Sequence, residues 1–158
     1  MEVRSYRDGD ANALGEVFHR SVREGAVSRY DAAQVAAWSP DVPSGEAWAA
    51  RLAGAETVVA TEGGLPVGFM SLDVAGYLDL AFVVPEVMGR GVADALYAVL
   101  EGRARVAGQV CLTTEASLLA EPFFARHGWR VVARQEVERR GVTLKNARME
   151  KRLEARAA

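Results

Sequence analysis

Cysteine and histidine are scarce in this 158-residue chain, and their scarcity excludes two classes of protein. A single cysteine, Cys111, leaves no partner for an internal disulfide. Two histidines and that cysteine stand at unrelated spacings, so the sequence predicts no metal site. Because Cys111 lies in the apolar run 110–112, we interpret it as a strand thiol in the core rather than a nucleophile.

Long apolar runs and an excess of one charge are also lacking. No run approaches the roughly 18 residues of a membrane span, and residues 1–4 do not resemble a signal peptide. We therefore expect a cytoplasmic protein. A net charge of −2 gives no electrostatic reason to expect nucleic acid or a membrane surface as a partner. The basic clusters at Arg139-Arg140 and 148–152 have acidic neighbours, which indicates a solvated face.

The composition that remains is that of a globular protein. Half of the residues are hydrophobic and a quarter are charged, so the chain is able to bury a core. Its length fits one domain, predicted here to span residues 1–158. A homodimer is compatible with the sequence, which says nothing further about oligomeric state.

The periodicity of apolar residues predicts a chain that mixes helices and strands. Helices are predicted over residues 11–24, 32–38, 44–52, 91–106 and 120–127, and strands over 3–6, 56–61, 67–73, 77–84, 109–114, 129–138 and 142–151. Short turns join the three middle strands, which makes them antiparallel, whereas the helix over 91–106 implies a parallel pair. The predicted fold class is α/β (α+β), with a mixed, mostly antiparallel sheet and helices on both faces.

One segment, residues 80–96, carries chemistry. A strand there leads into a glycine-bearing turn, and a helix begins at once. Unpaired N–H groups at a helix start form an anion site suited to phosphate. Gly89 and Gly91 allow close backbone approach, and Arg90 offers a charge. The alternative is that the glycines only shape the turn. A dinucleotide motif is disfavoured because Asp94 replaces its third glycine, and a P-loop is excluded because no Gly-Lys-Ser/Thr occurs.

Residues 88–93 resemble motif A of the GNAT acetyltransferase superfamily, Gln/Arg-x-x-Gly-x-Gly/Ala. Gly91 and Ala93 match the pattern, whereas Met88 replaces its first residue and is left with backbone or packing contacts. Residues 122–129 resemble the end of motif B, with an aromatic pair before a helix stop. Together with the order of elements, the resemblance covers essentially the whole chain.

The resemblance implies an N-acetyltransferase that moves an acetyl group from acetyl-CoA to a primary amine of a small molecule or a protein. The backbone of Ala81, Phe82 and Val83 would pair with the pantetheine arm, and an amide near Val83 would polarise the thioester carbonyl. The pyrophosphate would be held by the backbone of residues 89–94, and Ser117 and Phe124 would make two further contacts with the cofactor. The implied cofactor-binding residues are Ala81, Phe82, Val83, Gly89, Arg90, Gly91, Val92, Ala93, Asp94, Ser117 and Phe124.

Many members of this superfamily use a motif B tyrosine to protonate the leaving thiolate, and Phe124 occupies that position here. Tyr77, Ser117 or a water molecule could instead donate the proton to the thiolate. Alternatively the thiolate, with a thiol pKa of about 8.5, leaves unaided.

The base that accepts the amine proton has three candidates, namely Asp79, Asp73 and Glu115, and a weakly basic amine needs none. Strand alternation puts Asp79 on the same face as Ala81 and Val83. Each carboxylate is equally explained by a structural role, either at the end of a strand or in an ion pair with an arginine. The expected catalytic residues are Asp79, Tyr77 and Glu115.

The acceptor side is expected to come from the N-terminal helices and the last hairpin. Tyr30 and Trp38 are the predicted substrate-binding residues, with Trp48 nearby, although aromatic residues at helical spacing are equally explained as core. Two other functions remain open. The loss of the tyrosine at Phe124 suits a non-catalytic acyl-CoA sensor, and a structural protein that has lost its ligand is the third alternative.

Overall fold

A seven-stranded sheet organises this protein, whose computed structural model describes residues 1–153. The helices are α1 (Ala11–Arg20), α2 (Ala32–Trp38), α3 (Gly45–Ala53), α4 (Val92–Val106) and α5 (Glu121–Arg126). The strands are β1 (Glu2–Ser5), β2 (Glu56–Glu62), β3 (Leu65–Leu72), β4 (Tyr77–Val83), β5 (Cys111–Ser117), β6 (Arg130–Arg139) and β7 (Val142–Arg152). The single-domain prediction for residues 1–158 stays a prediction, and its last five residues lie outside the described ones.

The strand order is β1-β2-β3-β4-β5-β7-β6. Every neighbouring pair is antiparallel except β4 and β5, which run parallel because α4 connects them. The predicted mixed, mostly antiparallel sheet is therefore confirmed. The helix predicted over 11–24 is shorter than expected. It ends at Arg20 and continues as a π-helical turn over Ser21–Gly25. Cys111 begins β5 and is half-buried.

Helices cover both faces of the sheet, as predicted. On one face, Phe18 of α1 and Trp48 of α3 pack against the β-strand rings of Phe82 and Phe69, with ring centroids 4.6 and 6.2 Å apart. On the other face, α4 lies so close to β3 that a Cβ at Gly68 would stand 3.2 Å from the Leu96 side chain. Apolar side chains from both helix layers thus bury the sheet between them.

β4 and β5 pair only over two residues and then separate. Tyr77 pairs with Thr113, and Leu78 with Thr114. The Thr114 hydroxyl, which is buried, donates to the Leu78 carbonyl at 2.8 Å and forms the last link between the strands. Beyond it, the parting strands leave a wedge-shaped gap in the middle of the sheet.

A β-bulge at Asp79 marks the point where β4 turns away. Leu72 of β3 pairs with Leu78 and Ser71 pairs with Leu80, so Asp79 is an extra residue on β4. Because the bulge shifts the alternation by one, Asp79 lies on the helix α3 side, bonded to Arg51. The prediction that Asp79 shares a face with Ala81 and Val83 is therefore wrong.

A buried polar cluster ties α4 to the C-terminal half of the sheet. The Tyr97 hydroxyl donates to Glu101 at 2.8 Å and accepts from the indole of Trp129 at 2.9 Å. Lys151 of β7 donates to Glu101 at 2.6 Å and to the carbonyl of His127, just after α5, at 2.7 Å. The cluster therefore fixes α5 against α4, with every polar group partnered.

Lys151→Met is expected to lower the free energy of unfolding by about 2 kcal/mol, because a half-buried charge-assisted hydrogen bond to Glu101 is lost. Urea denaturation at pH 7 measures the change. Lys145→Met is the matched control on the same strand, since Lys145 is exposed, and we expect a change within about 0.5 kcal/mol. Equal effects of the two substitutions would contradict the role of the cluster.

The same cluster predicts a pH dependence. Burial raises the pKa of Glu101, but hydrogen bonds from Lys151 and Tyr97 outweigh it and leave the pKa below its usual range. A depressed pKa contributes stability above the unfolded value of about 4.3, and that stability is lost as the pH falls through the folded pKa. The difference between wild type and Lys151→Met should therefore shrink below about pH 4.

Candidate active site

Two cavities flank the gap between β4 and β5. The first, which we name the loop cavity, has a volume of about 440 Å³ and lies beside the turn that precedes α4. The second, the hairpin cavity, has a volume of about 370 Å³ and lies beneath the β6–β7 hairpin. Trp38, Phe82 and Ser117 line both cavities. The two spaces therefore meet at the gap.

The loop cavity is bounded by the backbone start of α4. Gly89 and Gly91 have φ angles of 76° and 83°, which glycine adopts without strain. The first α4 hydrogen bond runs from the Ala95 N–H to the Gly91 carbonyl at 3.0 Å. The N–H groups of Val92 and Ala93, and that of residue 94, consequently have no helical partner and mark an anion site at the helix dipole.

The Arg90 side chain, expected to offer a charge to this anion site, lies beside Glu62, and its part in cofactor binding stays a prediction. The Arg90 N–H donates to the Val87 carbonyl at 3.2 Å, and the side chain lies 3.7 Å from Glu62, outside the set of residues that line the cavity. Met88, the residue that departs from motif A, lines the cavity and packs against Gly25 so closely that a Cβ there would stand 2.4 Å from its methyl group. Met88 therefore supplies packing.

A cation that the sequence did not indicate stands at the loop cavity, on α5. Arg126 lines the cavity and donates to Asp94 at 3.1 Å, while His127 Nε2 lies 2.7 Å from the same carboxylate oxygen. The hydrogen bond with His127 lowers the pKa of Asp94, burial opposes that shift, and Arg126 lowers the pKa further. The Asp94 charge is thus compensated, which reduces its repulsion of an anion at the helix start.

The free edge of β4 borders the loop cavity. The Val84 N–H donates to the Val67 carbonyl of β3 at 2.9 Å. Because successive N–H groups of a strand point to opposite edges, the N–H groups of Val83 and Ala81 point to the gap. Phe82 faces the shared opening with its ring. The backbone that was predicted to bind a pantetheine arm is therefore accessible.

Phe124 and Ser117, which are expected to contact the cofactor, both line the loop cavity. Phe124 is buried, with its ring centroid 4.9 Å from that of Trp129, and its side chain has no proton to donate. The Ser117 Oγ accepts the Ala120 N–H at 3.1 Å. That bond uses the oxygen as an acceptor, so the hydroxyl proton is left for a group in the gap.

This arrangement has counterparts in known proteins. A family model described as an acetyltransferase (GNAT) domain matches residues 26–153. The chain belongs to the GNAT acetyltransferase family. The match confirms the family predicted from the motifs around Gly91 and Phe124.

Individual relatives agree with this family. The N-acetyltransferase YafP of Escherichia coli (strain K12) is 37% identical over 146 residues, which is 92% of each chain. A GCN5-related N-acetyltransferase from Rhodopseudomonas palustris has a TM-score of 0.88 and 35% identity, with 96% and 95% of the two chains covered. A Sinorhizobium meliloti phosphinothricin acetyltransferase in complex with acetyl-CoA shares the fold, with a TM-score of 0.71, 19% identity, and 96% and 88% covered. The predicted class, an acetyl-CoA-dependent acyltransferase, is confirmed.

The hairpin cavity of this GNAT domain contains the expected catalytic residues Tyr77, Asp79 and Glu115. Asp79 accepts two hydrogen bonds from Arg51, at 2.7 and 2.9 Å, so its charge is compensated. The Glu115 carboxylate has no cation within 4.0 Å among residues 1–153. Burial raises the pKa of the Tyr77 phenol, and Glu115 and Asp79 raise it further, so the phenol stays protonated at neutral pH. Asp73 instead accepts the N–H groups of its own turn and lies outside both cavities.

The predicted substrate residues Tyr30 and Trp38 both line the hairpin cavity. The Tyr30 hydroxyl donates to the Lys145 carbonyl at 2.6 Å and accepts the Leu118 N–H at 2.9 Å. Tyr30 therefore offers a substrate only its ring. Trp48 belongs to the core and lines neither cavity.

The β6–β7 hairpin supplies polar groups that the sequence left unassigned. Arg139 and Arg140 are exposed, as a solvated face predicts, yet they also line the hairpin cavity. Asn146 lines it as well, and its Oδ1 is buried with no hydrogen-bond partner among the described residues. No grouping of histidine, cysteine and carboxylate side chains suited to a metal occurs within residues 1–153.

Gly91→Ala is expected to weaken coenzyme A binding at least fivefold and to lower the melting temperature, because an alanine at this φ is strained by about 1 kcal/mol and would disturb the turn that presents the N–H groups of α4. Titration calorimetry and thermal unfolding measure the two effects. Gly102→Ala is the matched control in the middle of α4, where alanine fits and should stabilise by about 0.5–1 kcal/mol. Unchanged affinity in Gly91→Ala would contradict the anion site.

Proposed function

We propose that this enzyme transfers an acetyl group from acetyl-CoA to the primary amine of a small molecule. One observation carries the proposal, namely that the loop and hairpin cavities meet at Phe82 and Ser117. A thioester that enters from the loop cavity is then within reach of an amine in the hairpin cavity. The two substrates approach the gap from opposite sides.

The donor is held mainly by backbone groups. The unpaired N–H groups at the start of α4 bind the pyrophosphate, and Arg126 adds a cation at the same cavity. The pantetheine arm extends along the free edge of β4, where it replaces the missing strand partner. The thioester carbonyl then accepts a hydrogen bond from the Val83 N–H, which stabilises the negative charge that develops on the oxygen.

Acetyl transfer forms one bond and breaks another. The amine nitrogen attacks the thioester carbon, the C–S bond breaks, and coenzyme A leaves with the sulfur. We assign Glu115 to accept the amine proton, directly or through a water molecule, because its carboxylate is not held in an ion pair, whereas that of Asp79 is held by Arg51. The Ser117 hydroxyl donates a hydrogen bond to the departing sulfur in place of the one that Phe124 cannot make, and coenzyme A leaves as the thiolate, because a thiol pKa of about 8.5 makes it a tolerable leaving group.

The closure of the hairpin cavity supports a small acceptor over a protein. Arg140 donates to the carbonyl of Ala37 on α2 at 2.6 Å, and Gln34 of α2 donates to the carbonyl of Thr143 at 3.0 Å. With the bond from Tyr30 to the β7 backbone, these contacts tie the hairpin to α2. The hairpin therefore lies across the cavity, where an extended polypeptide would need an open groove.

A non-catalytic acyl-CoA sensor is the second candidate. It is favoured by Phe124, which replaces the tyrosine that would protonate the leaving thiolate.

None of the helices within residues 1–153 has the length and apolar character needed to cross a bilayer. The cytoplasmic location and the homodimer stay predictions.

Release of free thiol from acetyl-CoA, measured over a set of small amines and lysine-containing peptides, tests the proposed function. We expect turnover with at least one small amine and none with the peptides. Calorimetry with coenzyme A runs in parallel. Tight binding without turnover of any amine would favour the sensor, and turnover of peptides alone would contradict a small acceptor.

Glu115→Gln is expected to lower kcat about 100-fold at pH 7, because the amine loses its proton acceptor, while the Kd for coenzyme A stays unchanged. The loss should narrow at high pH, where the amine is already deprotonated. Glu136→Gln on β6 serves as the matched control, since Glu136 is exposed and does not line either cavity. A full rate in Glu115→Gln would remove this residue from the mechanism.

A further inference from the structure

The hairpin cavity carries positive charge that the acetyl-transfer step itself does not require. Three arginines line it. Arg51 is compensated by Asp79, as described above. Arg140 donates to a backbone carbonyl, and neither it nor Arg139 has a carboxylate within 4.0 Å among residues 1–153. The cavity therefore has an uncompensated positive end, formed by the hairpin.

Arg139 is the guanidinium most free to bind a ligand. Within residues 1–153 its guanidinium makes a single hydrogen bond, of 3.2 Å, to the carbonyl of the preceding residue. Val137 lines the cavity, and because side chains alternate along β6, Glu136 and Glu138 point to the opposite face from Val137 and Arg139. A guanidinium in this state suits a carboxylate, which it binds through two parallel N–H groups.

Asn146 marks the other end of the cavity. It pairs with Ser117 of β5, which lines both cavities, so it stands next to the gap. Its Oδ1 is buried without a partner among the described residues, and an unmet acceptor of this kind costs about 1–3 kcal/mol. An amine N–H placed at the gap would donate to this oxygen.

The spacing of these two ends fits a single small molecule. Arg139 pairs with Val142, four residues along β7 from Asn146, which is about 13 Å of strand at about 3.3 Å per residue. The long arginine side chain spans part of this distance. The rings of Phe18, Trp38 and Phe82 line the same cavity. The cavity thus offers an amine acceptor, a cation and an apolar aromatic wall for a side chain.

We propose that the acetyl acceptor is an amino acid with an apolar side chain, whose amine points to Asn146 and whose carboxylate binds Arg139. This inference rests on the proposed function, because it names the acceptor of that reaction. Polyamines are disfavoured, since the cationic end of the cavity repels a second positive charge.

Pairs of compounds that differ only in the carboxylate test the inference. Phenylalanine is compared with phenethylamine, and leucine with isoamylamine, in the thiol-release assay with wild-type enzyme. We expect kcat/KM to be at least tenfold higher for each amino acid. In the presence of coenzyme A, phenylalanine should also raise the melting temperature more than phenethylamine does.

Arg139→Gln should reduce the ratio of kcat/KM for phenylalanine to that for phenethylamine to about one. Arg139→Lys should keep part of this preference, because lysine retains the charge but cannot bind a carboxylate through two parallel N–H groups. Arg130→Gln, on the same strand but paired with Glu150 and outside the cavity, should keep the full preference. The unchanged Kd for coenzyme A shows in each case that the variant is folded.

Two failures are distinguishable. If the decarboxylated amines are acetylated with the same kcat/KM as the amino acids, the inference is overturned while the proposed function stands. If nothing is acetylated, the proposed function fails. In that case the melting temperatures still test carboxylate recognition in the hairpin cavity. An equal or larger shift with phenethylamine overturns it, and a larger shift with phenylalanine that disappears in Arg139→Gln supports it.

Discussion

The separation of β4 from β5 beyond the Thr114–Leu78 hydrogen bond is the constraint on which the site depends. A continuous sheet would pair the N–H groups of Val83 and Ala81 with β5 and leave no passage between the two helix layers. Because the strands part, that edge of β4 stays unpaired and two cavities meet through the sheet. The bulge at Asp79 occurs at the same point.

The two cavities divide the chemistry between backbone and side chains. In the loop cavity we propose that main-chain N–H groups at the start of α4 bind the phosphates of the cofactor. On this proposal Met88 can replace the motif residue and serve as packing. In the hairpin cavity, we propose that the acceptor is bound by side chains of the β6–β7 hairpin and of the N-terminal helices. A site built from backbone groups tolerates change in its side chains, whereas we expect the hairpin cavity to change its substrate when Arg139 or Asn146 is replaced.

The sequence predicted the parts of the fold that depend on local patterns. The helix over 91–106 and the strands around it follow from apolar periodicity, and the glycine turn at Gly91 follows from its motif. The bulge at Asp79 depends on how β4 pairs with β3, which no periodicity within β4 reveals. The cavity-lining position of Arg139 likewise depends on a hairpin that folds back over α2, where Arg140 bonds to Ala37, 103 residues earlier in the chain. Such long-range placements need the tertiary structure.

A crystal structure of the complex with acetyl-CoA tests the central claim most directly, because the claim concerns where the thioester lies. The account predicts the thioester in the gap between β4 and β5, with its carbonyl oxygen within hydrogen-bond distance of the Val83 N–H and its sulfur beside Ser117. An acetyl group located outside the gap, or β4 and β5 paired beyond Leu78 and Thr114 in the complex, would contradict the account.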